Sequence, residues 1–303
     1  MKKVIIAAGT GFLGRILIEY FKPKSEIIII LTRGKSRIEN NIKFINWDAK
    51  TIGNWKNELE NADVLINMTG KSVDCRYTKK NKDLILNSRI ESTAILGKAI
   101  KECHNPPKVW LNSSTATIYR HSLDKEMDEI YGEIGTGFSV HVATSWENTF
   151  FEQQTPKTRK VALRTSIVLG DNGGALQPIV NLTKIGFGGK QGHGNQKLSW
   201  IHEIDFARSL EFIINNPEIT GVVNIVSPKP TTNQVFMKTL RKLMKISFGV
   251  SLSKPILEFG ARLIKTETEL ILKSRNVVPK KLQNHGFVFQ YPNLKNALHN
   301  LTS

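Results

Sequence analysis

The sequence has few cysteines and no long apolar segment. Cys75 and Cys103 are the only cysteines among 303 residues, so neither a disulfide framework nor a cysteine-based metal site is expected. The most apolar internal run, residues 27–31, is far too short to cross a bilayer. Residues 4–8 resemble the core of a signal peptide, but glycines interrupt them at once and no cleavage region follows. We therefore expect no membrane partner and a cytoplasmic location.

Acidic residues are scarce relative to basic ones. The chain has 43 Lys and Arg against 26 Asp and Glu, a net charge of +17, and such a field attracts polyanions. No zinc-finger spacing, RNA-recognition motif or basic zipper accompanies the lysines, which are typical of solvated helix faces. His193 and His202 lack the paired spacing of metal ligands. We therefore expect neither nucleic acid nor a metal as a ligand.

The apolar pattern predicts strands that alternate with helices. Such alternation is typical of an α/β fold, a Rossmann doubly wound parallel sheet with right-handed crossovers. Strands are predicted at residues 4–8, 26–32, 42–46, 63–68, 108–113 and 160–169, and helices at 12–22, 55–59, 79–102 and 140–151.

The texture changes after residue 170, where the chain becomes rich in glycine. Helices are predicted at residues 203–215, 233–245 and 255–265, and a strand at 221–226. We expect residues 1–170 to form the Rossmann domain and 171–303 a smaller C-terminal substrate lobe, from which some segments return to the main sheet. Residues 186–194, together with Trp200 and His202, are expected to face the substrate.

A glycine motif directly follows the first predicted strand. The sequence Gly9-Thr10-Gly11-Phe12-Leu13-Gly14 matches G-x-G-x-x-G and opens the first helix. Gly9 is expected to permit a tight turn, Gly11 to let the backbone approach a pyrophosphate, and Gly14 to let helix pack on strand. The alternative is a structural turn without a ligand. In this setting the motif predicts dinucleotide binding.

A basic residue follows the second predicted strand. Enzymes that use NAD usually have an acidic residue there for the ribose 2′-hydroxyl, whereas this chain has Arg33, with Lys35 and Arg37 close by. A guanidinium suits a 2′-phosphate, although a surface arginine in a basic protein is the alternative. The expected cofactor is therefore NADP, with NAD second.

These residues resemble the extended short-chain dehydrogenase/reductases of the NAD-dependent epimerase/dehydratase family, and within it the YfcH- or SulA-type epimerase-like group. The resemblance spans nearly the whole chain, and residues 251–298 resemble a C-terminal tail peculiar to that group. Its marks are residues 9–14, 47–48, 67–70, 76–77, 88–90, 93, 146–147, 163–164, 167–170, 173–176, 199–202, 205, 278–279, 286–287 and 291–292.

The resemblance implies roles for several cofactor residues. Asp48 should lie near the adenine, Thr69 and Gly70 should line the cofactor, and Arg164 should sit in a loop beneath the nicotinamide. Arg89, where many relatives carry Asn, is counted with them. Asp48 has an alternative as a turn residue, and Arg89 as an internal ion-pair partner.

The family's chemistry uses a tyrosine acid four residues before a lysine, together with a hydroxyl that orients the substrate. By the resemblance, Thr115 takes the hydroxyl role and Ser113 contributes to the cofactor site. When Glu147 is aligned with the glutamate after the lysine, Ser139 replaces the tyrosine and Ala143 the lysine. A serine is a poor acid near neutral pH and an alanine carries no charge, so the usual dyad is missing.

Other acids are available, although none is preferred: Tyr119, Tyr77, Cys75, His141, Lys71 and His202. We expect an NADP(H)-binding, epimerase-like protein, an oxidoreductase or epimerase with a replaced acid, acting on an anionic or nucleotide-linked small molecule. The alternative is a non-catalytic NADP(H) sensor that acts through a partner.

Overall fold

The central feature of the fold is a sheet whose strands run almost all in parallel. A computed structural model describes residues 1–263, 267 and 272–303. The strands are β1 (Lys3–Ala7), β2 (Ile27–Thr32), β3 (Arg37–Glu39), β4 (Ile42–Asn46), β5 (Val64–Asn67), β6 (Val109–Thr115), β7 (Arg159–Thr165), β8 (Ile167–Gly170), β9 (Gly173–Gly174), β10 (Lys197–Leu198), β11 (Trp200–His202), β12 (Gly221–Ile225) and β13 (Thr231–Thr232).

The main sheet has the strand order β12-β7-β6-β5-β1-β2-β4-β3. Every neighbouring pair is parallel except β3 with β4, which is antiparallel. The order reverses between β1 and β5, where ligands bind in sheets of this kind. The Rossmann doubly wound fold predicted from the sequence is confirmed.

Helices cover both faces of the main sheet. They are α1 (Phe12–Phe21), α2 (Lys79–Lys101), α3 (Phe138–Glu152), α4 (Leu176–Lys184), α5 (Glu203–Asn215), α6 (Asn233–Leu243), α7 (Lys254–Leu263), α8 (Lys280–Asn284) and α9 (Leu294–Thr302). One apolar cluster buries α1 and α5 against the sheet, and a second buries α2 and α3 against the opposite face. This double cover explains why β2 reads as a continuous apolar run.

Two predicted elements differ from the structure, and a third lies partly outside the described residues. The predicted strand 160–169 is two strands, because Ser166 interrupts it and β8 pairs with β11 in a separate sheet. The predicted helix at 55–59 is a 3-10 helix, Asn54–Leu59. Of the predicted helix 255–265, the last two residues lie outside the described residues, as do 264–266 and 268–271 of the predicted tail.

The part of the chain after residue 170 is tied closely to the main sheet. β12 extends the sheet beside β7. The Asp205 carboxylate accepts hydrogen bonds from the N–H groups of Gln290 and Tyr291, at 2.8 and 2.7 Å. Asn224 on β12 donates to the carbonyl oxygen of Val278. Among the described helices, none combines the length and the apolar character that a membrane span needs.

Candidate functional site

A cavity of about 440 Å³ lies at the carboxyl ends of β1, β5 and β6. It is bounded by the start of α1, by the loop after β5, and by the first turns of α3. The predicted site residues that line it are Gly11, Phe12, Leu13, Gly14, Thr69, Gly70, Arg89, Ser113 and Thr115. The carboxyl edge of a parallel sheet is the usual place for a ligand, so this cavity is the candidate site.

The glycine loop differs in one respect from its predicted geometry. Ala8, not Gly9, has the left-handed backbone (φ 60°), which costs a residue with a side chain about 1–2 kcal/mol. A Cβ on Gly9 would press on the side chains of Ile30 and Ile6, at 3.0 and 3.1 Å. Gly9 is thus a packing position, and the left-handed turn falls one residue earlier.

Gly14 and Gly11 have the surroundings that their predicted purposes require. A Cβ on Gly14 would collide with the carbonyl group of Gly9, so a side chain would push α1 off the end of β1. A Cβ on Gly11 would meet nothing within 4 Å, since Gly11 borders the cavity. The backbone at Gly11 is therefore accessible to a ligand, whereas at Gly14 it packs closely against the backbone of Gly9.

The start of α1 offers free backbone donors to the cavity. Gly11 is the N-cap residue, and no side chain caps the helix. The first N–H groups of a helix lack partners within the helix and favour anions. Thr10 stands outside the lining, and its carbonyl oxygen accepts a hydrogen bond from Arg15. The predicted phosphate contact would thus be made by the backbone at residues 11–13.

The loop after β5 contributes a buried hydroxyl without a partner. The side-chain oxygen of Asn67 accepts a hydrogen bond from the Thr69 N–H, at 3.0 Å, which fixes the turn. Thr69 Oγ1 is buried, and no described residue offers it a hydrogen bond. Because buried polar atoms are nearly always hydrogen-bonded, this hydroxyl fits a site that a ligand completes.

Arg89 reaches the same cavity from α2. Its Nη1 donates to the carbonyl oxygens of Lys71 and Ile85, at 3.1 and 2.8 Å, and its guanidinium carbon lies 5.0 Å from the centre of the Trp146 ring. Burial lowers the pKa of Arg89 to about 10. The structure places no carboxylate of the described residues in an ion pair with it, so the ion-pair alternative does not hold there.

The carboxyl end of β6 carries the predicted hydroxyls. Thr115 Oγ1 accepts a hydrogen bond from the Thr117 N–H at 3.1 Å and lines the cavity. Ser113 Oγ donates to the sulfur of Met68 at 3.2 Å. Ser139, at the position of the missing tyrosine, also lines the cavity. Ser113, Thr115 and Ser139 therefore line one and the same cavity.

The remaining candidate acids are separated by the structure. Tyr77 lines the cavity, with its ring 5.0 Å from that of Phe138. Tyr119 is fully buried away from the cavity, where its hydroxyl donates to Asn224 and accepts from Arg164, and burial raises the pKa of Tyr119. The lining also excludes Cys75, His141, Lys71 and His202. Of these candidates, Tyr77 is the one that lines the cavity.

Arg164 does not occupy a loop. It lies within β7, and its guanidinium grips the carboxylate of Glu147 on α3 at 2.8 and 2.9 Å. Ser114 donates to the same carboxylate at 2.6 Å. The pair raises the pKa of Arg164. Arg164 was predicted in a loop beneath the nicotinamide. It instead forms a buried ion pair that holds α3 against the sheet.

Arg33 and Asp48 lie outside the cavity lining. Arg33 follows β2 and is exposed, and its loop is fixed by hydrogen bonds from Asn46 to the carbonyl oxygens of residues 33 and 34. Asp48 accepts hydrogen bonds from the N–H groups of Lys50 and Thr51, each at 2.9 Å, which lower its pKa. The turn role weighed for Asp48 is thus realised.

The glycine-rich segment does not face this cavity. Residues 186–194 are absent from its lining, and Trp200 and His202 are almost fully buried elsewhere. Trp200 belongs to the apolar cluster of α4, α6 and α9, and His202 caps α5 by accepting the Ile204 N–H. Within the described ranges, no cluster of three or more His, Cys, Asp or Glu side chains fits a metal ion.

The sequence reading missed the wall that α3 gives the cavity. Phe138, Val142 and Trp146 recur at four-residue spacing and line one side. Trp146 Nε1 donates to Thr93 Oγ1 at 2.9 Å, which fixes the indole against α2. The four-residue spacing predicts that these side chains share one helix face. It does not predict that this face borders a cavity.

Comparison with family models gives two matches. The NAD-dependent epimerase/dehydratase family matches residues 4–226. A domain of unknown function, DUF1731, matches residues 254–301, where the tail was predicted. Between them, the two models span most of the chain.

Individual relatives match nearly the whole of this chain. An epimerase family protein of Staphylococcus aureus (strain MRSA252) is 34% identical over 311 residues, covering 100% of both chains. The crystal structure of human epimerase family protein SDR39U1 with NADPH is 26% identical, with a TM-score of 0.86 and coverage of 99% and 98%. The nucleoside-diphosphate sugar epimerase from Corynebacterium glutamicum is 25% identical, with a TM-score of 0.78, and the match covers 99% of this chain and 58% of that one.

Proposed function

Because the chain belongs to the NAD-dependent epimerase/dehydratase family, as the sequence predicted, we propose that it binds NADP(H) as its cofactor. The proposed reaction is oxidoreduction or epimerisation of an anionic or nucleotide-linked small molecule. The observation that carries the proposal is the cavity that joins the open start of α1 to the unpartnered Thr69 hydroxyl.

The residues present fit a dinucleotide. Backbone N–H groups at residues 11–13 suit its diphosphate, and Thr69 Oγ1 suits a polar atom of its ribose or nicotinamide. When bound, the cofactor supplies a nicotinamide ring that accepts or donates hydride. The protein's own part is to hold that ring beside the hydroxyls at the end of β6.

The preference for the 2′-phosphate rests on Arg33. Its guanidinium makes no hydrogen bond or ion pair with the described residues, whereas Arg37 is engaged with Glu39 at 2.5 Å and stacks on Phe44. The human relative was solved with NADPH, which supports the same choice. Arg33 is therefore the proposed ligand of the phosphate.

We expect Arg33→Ala to weaken NADPH binding about 10- to 100-fold, the value of a hydrogen bond to a charged group, and NADH binding less than twofold. Arg37→Ala is the matched control, and its affinity for either cofactor should stay within about threefold. Isothermal titration calorimetry measures all four affinities. Equal weakening of NADPH and NADH would contradict the phosphate assignment.

Thr115 and Tyr77 are the residues that we propose for the reaction, Thr115 to orient the substrate and Tyr77 to transfer a proton. The Thr115 hydroxyl accepts from Thr117 and keeps its own proton for a substrate oxygen. Tyr77 lines the same cavity and supplies a phenol, in place of the tyrosine that Ser139 replaces. Proton transfer would therefore use a different element of the fold from that of the family.

A second candidate function is a non-catalytic NADP(H) sensor that acts through a partner. Ala143, at the position of the lysine, is fully buried in an apolar cluster with Ala116 and Ile118, which supports this candidate. A panel of carbonyls, alcohols and nucleotide sugars separates the two. No change of nicotinamide absorbance with any of them, alongside tight NADPH binding, would favour the sensor.

We also propose a cytoplasmic location. Cys75 and Cys103 are both free thiols, as a reducing compartment favours. Cell fractionation tests this location directly.

A further inference from the structure

We propose that Arg89 binds an anionic group of the substrate, a carboxylate or a phosphate, in the cavity that also takes the cofactor. This inference rests on the proposed function and assigns Arg89 to the substrate instead of the cofactor. The site is the guanidinium edge that faces away from its two carbonyl partners.

The electrostatics of the cavity is set by one residue. Among the described residues that line it, Arg89 carries the one formal charge, and neither Asp nor Glu is present. Burying a charge is costly unless an opposite charge compensates it. A cation retained in a cavity without a carboxylate is therefore suited to an anion that arrives from outside.

The guanidinium is fixed but not saturated. Nη1 makes both of its hydrogen bonds, to the carbonyl oxygens of Lys71 and Ile85, and no described residue accepts from Nε or Nη2. A Cβ on Gly70 would lie only 2.9 Å from the guanidinium carbon, so the planar group packs directly on that glycine. Trp146 covers it on a further side. A fork held in this way loses little entropy when it binds an oxyanion.

The charge of Arg89 persists at neutral pH. Burial lowers the pKa of Arg89 to about 10, which is still well above 7. The guanidinium therefore stays positively charged throughout the physiological pH range, and its burial costs desolvation free energy. An oxyanion on the open edge would remove that cost.

The anionic parts of the cofactor have other partners. The diphosphate is expected at the start of α1, and the 2′-phosphate at Arg33 beyond β2. Arg89 instead contacts Gly70 and Lys71 after β5, and Trp146 on α3. The hydroxyls of Ser72 and Thr115 line the same cavity. This side of the cavity fits the substrate.

The test is a calorimetric titration of inorganic phosphate into protein saturated with NADP⁺, so that the cofactor sites are filled. We expect the wild-type complex to bind phosphate, Arg89→Gln to weaken that binding at least tenfold, and Arg89→Lys to weaken it about threefold. Arg120→Gln is the matched control, because Arg120 is half-buried and lies outside the lining. All four proteins should bind NADP⁺ within twofold of one another. D-Glucuronate should repeat the pattern, and D-glucose should not.

Two outcomes would overturn the inference. One is a wild-type NADP⁺ complex that binds neither phosphate nor glucuronate. The other is a tenfold loss of NADP⁺ affinity in Arg89→Gln, which would make Arg89 a cofactor residue. If Arg89→Gln does not fold, as circular dichroism would reveal, Arg89→Lys decides the question. Failure of the wild type to bind NADP⁺ would contradict the proposed function alone, and phosphate titration of the cofactor-free proteins would then test Arg89.

Discussion

Arg164 and Arg89 contact adjacent residues of α3, Glu147 and Trp146. Both are cations, but only the charge of Arg164 is neutralised by a carboxylate of the described residues. Between β7 and α3, Arg164 forms an ion pair with the carboxylate of Glu147, which also accepts a hydrogen bond from Ser114. At the cavity, Arg89 has only two carbonyl oxygens among the described residues. The first region is satisfied within the chain and stabilises the fold, whereas the second leaves capacity for a ligand. Both residues are arginines, so the residue type does not distinguish their roles. The presence or absence of a neighbouring carboxylate does.

The largest effect expected from this comparison is that of Glu147→Gln. It leaves Arg164 buried without its counter-charge, and breaking such a pair costs about 3–5 kcal/mol. We expect the free energy of unfolding, measured by urea denaturation at pH 7, to fall by that amount. Arg89→Met is the contrasting variant, with an expected loss below about 1 kcal/mol, because it removes a cation that has no ion pair.

Equal losses in Glu147→Gln and Arg89→Met would break the comparison. Arg89 would then stabilise the fold in the same way as Arg164, and the cavity would have no spare charge.

A smaller effect is expected for the hydroxyls of the two regions. Thr69→Val removes a buried hydroxyl that has no described partner, so the free energy of unfolding should stay within about 0.5 kcal/mol or rise. Its affinity for NADPH should fall about three- to tenfold, because one hydrogen bond is worth about 0.5–1.5 kcal/mol. Ser114 also lines the cavity, but its hydroxyl donates to Glu147. Ser114→Ala should therefore do the reverse, losing about 2 kcal/mol of stability through its bond to a charged group while NADPH affinity is kept.

Urea denaturation and calorimetry on both variants give this crossed result. A Thr69→Val protein that loses stability but keeps NADPH affinity would place its hydroxyl in the structural region.

The smallest effect concerns pH and a second carboxylate outside the cavity lining, that of the half-buried Glu129. Glu129 accepts the N–H groups of Asn224 and Lys281, at 2.9 and 3.2 Å, and burial raises the pKa of Glu129. The folded protein therefore binds this proton more tightly than the unfolded chain does. Stability relative to Glu129→Gln should rise as the pH falls from 7 through the raised pKa, and the gain should be complete below the ordinary pKa.

Urea denaturation of both proteins between pH 7 and pH 4 measures this difference. A trend of opposite sign would mean that the two N–H donors outweigh burial at Glu129.

Much of the fold could be predicted because its signals are local. The apolar run of β2 and the glycine motif before α1 each lie within a few consecutive residues. β3 gave no such signal, since all three of its residues are exposed. The break at Ser166 was also hidden, because an apolar run of three residues lies on each side of it, and the two strands pair with different neighbours.

The candidate site was predictable where the chain order fixes it. Thr69 comes shortly after β5 and Thr115 ends β6, so the carboxyl edge of the sheet brings them together. Arg164 was misplaced because its surroundings depend on a helix that precedes it, through a pair with Glu147 that periodicity does not reveal. Tyr77 could be named but not chosen, since the course of its loop decides whether it reaches the cavity.

The position of β12 also limits how this protein could be divided. β12 lies beside β7, although four short strands and the helices α4 and α5 separate them in the chain. A gene truncated after residue 170 would produce a chain whose β7 has a bare row of backbone donors and acceptors, open to strand addition by another molecule. The cofactor-binding half could therefore not be exchanged between genes as a cassette, unless residues 221–225 travelled with it.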